Sequence, residues 1–108
     1  MIVIDTSVWI DLFIPKNEKR NKIAKHIFQI IEEKEIEIYA PKLFVIEFIS
    51  IMKRLVGIVP LEILDKINLI DEAEIFEILK DVAFKTSSRA SDAYFIATAK
   101  LTNSILIT

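Results

Sequence analysis

Four short aliphatic runs do most to limit what this chain can become. IVI at 2–4, IEIYA at 36–40, INLI at 67–70 and SILIT at 104–108 are too short for helices and read as strands. Each is short and unalternating, so neither face is written for water. Between them lie segments with helical spacing. Strands of this kind, alternating with helices, argue for a parallel sheet covered on both faces. The helices expected are SVWIDLF after the first run, 21–34 with Ile23, Ile27, Ile30 and Ile31 on one stripe, and 42–56, apolar nearly all round. Pro41 suits the first turn of that third helix and Gly57 its end. A short helix runs from Pro60 to about Lys66, a longer one over 72–84 with Phe76, Leu79 and Ala83 on a stripe, and an Ala-rich one over 90–101. No linker, repeat or low-complexity stretch divides the 108 residues, so one α/β domain over 1–108 is expected.

Composition narrows the chemistry. The chain is 53% apolar with a mean hydropathy of +0.43, high for a domain this small, and the surplus implies a face that meets a partner or a second copy. LFVIEFISIMKRLVGIV is broken by Glu47, Lys53 and Arg54 and makes a poor membrane span. Asp5 and Asp11 interrupt the only candidate leader, so a cytoplasmic protein away from membranes is expected. There is no Cys, which excludes thiolate metal sites and cysteine nucleophiles. The one histidine, His26, lies among Ile23, Ile27 and Ile30 at helical spacing and reads as a helix-surface residue. A bound metal would therefore have mainly oxygen ligands, the preference of Mg²⁺ or Mn²⁺.

Three carboxylates stand in apolar company. Asp5 closes the first strand and is followed by Thr6 and Ser7, so it either caps the next helix or lies where ligands gather at the carboxyl ends of parallel strands. Glu47 sits on an apolar helix with Leu43, Phe44, Ser50 and Ile51 as its neighbours on that face. Lys53 and Arg54 are not at salt-bridge spacing, and a carboxylate so placed needs a partner or a cation. Asp92 opens the last helix, where an acid suits the dipole and Ser88 or Ser91 can cap, yet it shares a face with Phe95, Ile96 and Ala99 and should point inward. Several carboxylates brought together repel, and a hard divalent cation relieves them. Such sites activate water and grip phosphate oxygens. Net charge is −2, but PKNEKRNKIAK is locally basic, with Lys16, Lys19, Arg20, Lys22 and Lys25. It reads as a solvated helix start or as a patch that draws in a polyanion.

Taken in order, IVIDTS, the acid within PKLFVIEFISIMKR, and SDAYFIATAKLTNSILIT resemble the PIN domain family, most closely the VapC-type ribonuclease toxins of VapBC toxin–antitoxin pairs. The resemblance spans the whole chain and implies a three-layer α/β/α sandwich with a short central parallel sheet. By resemblance, Asp5, Glu47 and Asp92 are the metal-binding and catalytic acids, and Thr6, Ser7 and Thr108 the supporting polar residues. It further implies Mg²⁺- or Mn²⁺-dependent hydrolysis of RNA phosphodiester bonds, a homodimer and an antitoxin protein that blocks the site. The basic run, with Arg89, Lys53 and Lys85, would meet the RNA backbone. The family pattern usually continues one or two positions beyond the closing polar residue with a fourth acid and a further strand. This sequence ends at Thr108, so the expected fold lacks the last strand and the expected site that acid. A catalytically degenerate module that binds RNA or protein is the alternative. A phosphoryl-accepting domain built on Asp5 fits less well, since haloacid-type phosphatases want a second Asp where Ser7 stands.

Overall fold

A computed structural model describes residues 1–108. In chain order the elements are β1 (Ile2–Ile4), α1 (Thr6–Phe13), α2 (Glu18–Glu33), β2 (Ile38–Pro41) and α3 (Leu43–Leu55). A 3₁₀ segment (Leu61–Lys66) then leads to β3 (Ile67–Ile70), α4 (Glu72–Thr86), α5 (Ala90–Thr102) and β4 (Ile105–Ile107). All four expected strands form one parallel sheet in the order β3-β2-β1-β4, with Ile2 opposite Ile38 and Ile4 opposite Ile107. The chain therefore steps outward from β1 to β2 to β3, then crosses back to lay β4 on the other side of β1. That reversal is a topological switch point, and ligands of open parallel sheets gather in the crevice beyond the strand carboxyl ends there.

The two helical layers differ in texture. On one face α1 packs on α2 and α3, and α3 on β2. Its interior is aromatic: Trp9 lies 4.4 Å from Phe28 and 5.7 Å from Phe44, and Phe44 stacks on Phe48 at 5.5 Å between ring centroids. Phe44 and Phe48 are fully buried, so truncating either to Ala should cost roughly 3–5 kcal/mol. On the other face α5 lies across β1, β2 and β4 with α4 against it. Its buried residues are mostly small, Ala93, Ala97, Thr98 and Ala99 around Phe95, which lets the helix approach the sheet closely. No helix is long and apolar enough to cross a membrane.

Several expectations need correction. Pro41 is the last residue of β2, opposite Ile70, rather than part of a helix turn. Lys42 directs its N–H to Ile70 on β3, so position 41 faces the β1 side, where pairing has already ended at Tyr39 and no N–H is needed. Helix α2 begins three residues before the expected start because Asn17 caps it, its side chain accepting from the Arg20 N–H at 3.0 Å. Ile23 lies outside the buried stripe, which runs through Ala24 and Ile31. In α4 the buried residues are Ile75 and Val82, while Phe76 and Ala83 face solvent. Nor is α3 packed all round: Phe44, Phe48 and Met52 are buried, and Ile46 is exposed. Gly57 does follow the end of α3 with φ +84°, its N–H bonded to the Met52 carbonyl.

Candidate metal centre at the carboxyl edge

Strand β1 delivers Asp5 to the switch point. The Asp5 N–H donates to the Ile107 carbonyl at 2.9 Å, which fastens the ends of β1 and β4 together. Asp5 also occupies the N-cap position of α1 with extended backbone (φ −63°, ψ 148°), and its carbonyl accepts from the Val8 N–H. Its carboxylate, however, caps no backbone N–H. It accepts instead from the Ser7 hydroxyl at 2.8 Å. The backbone caps the helix while the side chain is held out toward solvent.

Asp92 comes from the first turn of α5. Together with Asp5 it lines a cavity of about 340 Å³, closed by Ser88, Phe95, Ile96, Leu106 and Thr108. Asp92 is exposed rather than turned into the core, which corrects the sequence expectation. Phe95 and Ile96 do share its cavity, but this first turn projects past the sheet, so the acid opens into the crevice. Neither Asp5 nor Asp92 takes part in any of the chain's four ion pairs.

Glu47 is reached differently. It lies half-buried on α3 and accepts from the Thr6 hydroxyl at 2.9 Å, a contact that joins α3 to the start of α1. It forms no ion pair with Lys53, Arg54 or any other cation. The buried Thr6 thus connects Glu47 to the residue that follows Asp5. The three acids do not form a preassembled cage of three carboxylates. Two line one cavity and the third is tied to its border through a hydroxyl.

The donor set fits a hard cation. Every polar side chain around the cavity, from Asp5, Asp92, Ser88 and Thr108, offers oxygen and none offers nitrogen or sulfur. Mg²⁺ is commonly held by one or two carboxylates while keeping several waters and taking phosphate oxygens from a substrate, so two facing acids suffice. Asp5 and Asp92 are the two acids that could hold such a cation directly; Glu47 does not line this cavity.

Thr108 and Ser7 also border a larger groove of about 590 Å³ between α1 and α2, floored by Val8, Ala24 and Ile27. At its rim Arg20 pairs with Asp11 at 3.5 Å. Of the basic run, Arg20 lines this groove; Lys16, Lys19, Lys22 and Lys25 are exposed along α2 and the loop before it, and His26 is exposed on α2. Arg89 stands at the N-cap of α5, next to Ser88 and three residues before Asp92. Lys85 is paired with Asp81 at 3.2 Å. Ser88 is the cavity residue sequence reasoning missed as a site residue. Its place just before a helix that carries an acid was the available signal, but there it reads as a cap, a role neither it nor Ser91 fills.

A parallel sheet between two helical layers, with Asp5 after β1 and Asp92 on α5 lining one cavity at its switch point, defines the broad class of fold. The PIN domain family model matches residues 2–108, and the chain belongs to that family. No curated protein is significantly similar in sequence. Among solved structures the chain is similar to one from a toxin–antitoxin complex of Klebsiella pneumoniae, with a TM-score of 0.75 and 22% identity, covering 100% of this chain and 85% of that one. It is also similar to FitAcB from Neisseria gonorrhoeae, with a TM-score of 0.62 and 24% identity, covering 100% of this chain and 86% of that one. At these identities the likeness establishes the shared fold.

Proposed function

We propose that the chain is a Mg²⁺- or Mn²⁺-dependent endoribonuclease and the toxin of a toxin–antitoxin pair. The observation that carries this is the pair of carboxylates, Asp5 and Asp92, free of ion pairs and facing one cavity at the switch point. Membership of the PIN family supports it, as does similarity to a chain from a complex described as toxin with antitoxin.

In this reading Asp5 and Asp92 hold the cation, with Ser7 fixing the Asp5 carboxylate and Thr6 fixing Glu47. When bound, the cation stabilises the charge that develops on the scissile phosphate and makes water a stronger nucleophile at neutral pH. In this reading Glu47, held by Thr6, orients water from the border of the site, and Thr108 and Ser88 offer hydroxyls to phosphate oxygens. Arg89, beside the cavity, and Arg20, at the groove, are the basic residues best placed to meet the RNA backbone, with the α2 lysines as a more distant attraction. The apolar groove that runs up to Ser7 and Thr108 gives an antitoxin segment a path to the site. Exposed Leu55, Val56 and Ile58 at and after the end of α3 give a homodimer its apolar surface.

The test is cleavage of a mixed RNA by the purified chain with Mn²⁺, beside EDTA and an Asp92→Asn control prepared identically. Cleavage lost in both controls is the expected result. A folded chain that cuts nothing with Mn²⁺ overturns the enzyme and leaves a binding module.

A further inference from the structure

The carboxyl edge carries a second cavity that the metal centre does not use. It measures about 290 Å³ and is lined by Pro41, Lys42, Leu43, Ile46, Glu72 and Tyr94. Pro41 ends β2, and Glu72 begins the helix that follows β3, so this cavity lies beyond β2 and β3 as the first lies beyond β1 and β4. Tyr94 and Asp92 are two residues apart on α5, which turns them about 200° from each other around the helix. One helix start thus separates the two cavities along a single edge.

We infer that this second cavity is a base-reading subsite that takes one unpaired guanine of the RNA. The identity of the ligand as RNA rests on the proposed function above; the choice of base rests on the groups themselves. Single-stranded RNA is recognised by laying splayed bases on aromatic or apolar surfaces and bonding their Watson–Crick edges. The half-buried Tyr94 ring, Leu43 and the exposed Ile46 supply the surface. The Tyr94 hydroxyl donates to the Glu72 carboxylate and holds it at the cavity. Lys42 is anchored by Asp71, which leaves ammonium hydrogens for a further acceptor.

A carboxylate only accepts, and an ammonium only donates. Guanine presents, in a row, a carbonyl oxygen, an imino N–H and an amino group. That order matches Lys42 followed by Glu72: the ammonium donates to the carbonyl and the carboxylate accepts from two adjacent donors. Adenine and cytosine offer the ammonium a ring-nitrogen acceptor but the carboxylate only one amino donor, so they make one charged hydrogen bond fewer to Glu72. Uracil flanks its single donor with two carbonyls, so one oxygen would meet Glu72. Guanine alone offers the carboxylate two adjacent donors beside an acceptor for the ammonium.

The experiment is fluorescence anisotropy with the intact chain and labelled oligouridylates that carry one central G, A or C, or U throughout, in EDTA so that no metal-dependent cleavage intrudes. The G-containing RNA should bind about tenfold or more tighter than the others. Glu72→Gln places an amide where two acceptors were needed and should erase that preference; Glu72 is exposed, so the variant should fold. Tyr94→Ala should weaken binding of all four RNAs. Equal binding of the four, no binding at all, or a G preference that survives in Glu72→Gln would overturn the subsite. None of these outcomes decides whether Mn²⁺-dependent cleavage occurs, so failure here and failure of the nuclease remain separate results.

Discussion

Asp5 and Asp71 occupy equivalent places in the chain. Each follows a strand of the parallel sheet, each stands at the N-cap of the next helix, and their backbones are nearly superimposable in conformation (φ −63°, ψ 148° against φ −71°, ψ 145°). Their surroundings differ. The Asp71 N–H is taken up by the Glu74 carboxylate at 3.1 Å, and the Asp71 carboxylate pairs with Lys42. Asp5 has no acid three residues on and no cation beside it; its carboxylate is steadied by Ser7 and faces a cavity shared with another acid. The same strand–Asp–helix grammar therefore yields one aspartate absorbed by the structure and one left available. What separates them is the neighbour that each crossover brings in, Lys42 in one case and Asp92 in the other.

Exchanging the two roles by mutation sharpens that contrast. Asp5→Asn should lower Mn²⁺-dependent cleavage by at least about a hundredfold, the upper end for losing a group around a metal, while unfolding free energy changes by no more than about 0.5 kcal/mol. Cleavage at the wild-type rate in this variant would end the case for Asp5 as a ligand. Thr6→Val is next: it removes the donor to Glu47 from a buried position and should cost about 1 kcal/mol in denaturant unfolding with roughly a tenfold loss of cleavage. Asp71→Ala should do the reverse of Asp5→Asn, leaving cleavage intact while the loss of an acid at the α4 N-terminus destabilises by about 0.3–1 kcal/mol. A nuclease as sensitive to Asp71 as to Asp5 would erase the distinction.

The smallest effect concerns pH. The hydrogen bond and charge of Asp71 raise the Lys42 pKa above its ordinary value of 10.5. A raised folded value means that the pair's stabilisation is complete below the unfolded lysine pKa and is lost as pH climbs through the folded one. Thermal unfolding of wild type and Lys42→Met should differ by a small, constant amount at neutral and mildly alkaline pH, and the gap should close only in the strongly alkaline range. A gap that widens with alkalinity would contradict the pair.

The sheet was legible because its signal is local. Short aliphatic runs such as IVI before Asp5 and ILI after Asn103 and Ser104, set off by polar residues, read as strands, and their order with the helices implies the parallel layers. Helix faces were less legible. In α4 apolar residues occur at 73, 75, 76, 78, 79, 82, 83 and 84, all round the helix, so periodicity selects no single stripe. Docking against α5 chose Ile75 and Val82 and left Phe84 92% exposed. The three acids could be picked from their apolar company, because a carboxylate there needs a reason. Their relation could not. That Asp5 meets Asp92 across one cavity, while Glu47 is reached only through Thr6, follows from the crossover of β4 to the far side of β1, a fact of topology that no residue spacing records.

That crossover also sets a clock. The candidate centre joins residue 5 to Asp92 and to the Ile107 carbonyl, so its first part is synthesised well before its last. A growing chain carries Asp5 before Asp92 and has no second wall for the cavity until β4 has left the ribosome and paired with β1. Whatever the centre does to its substrate, it cannot do it before β4 has been made and has paired with β1.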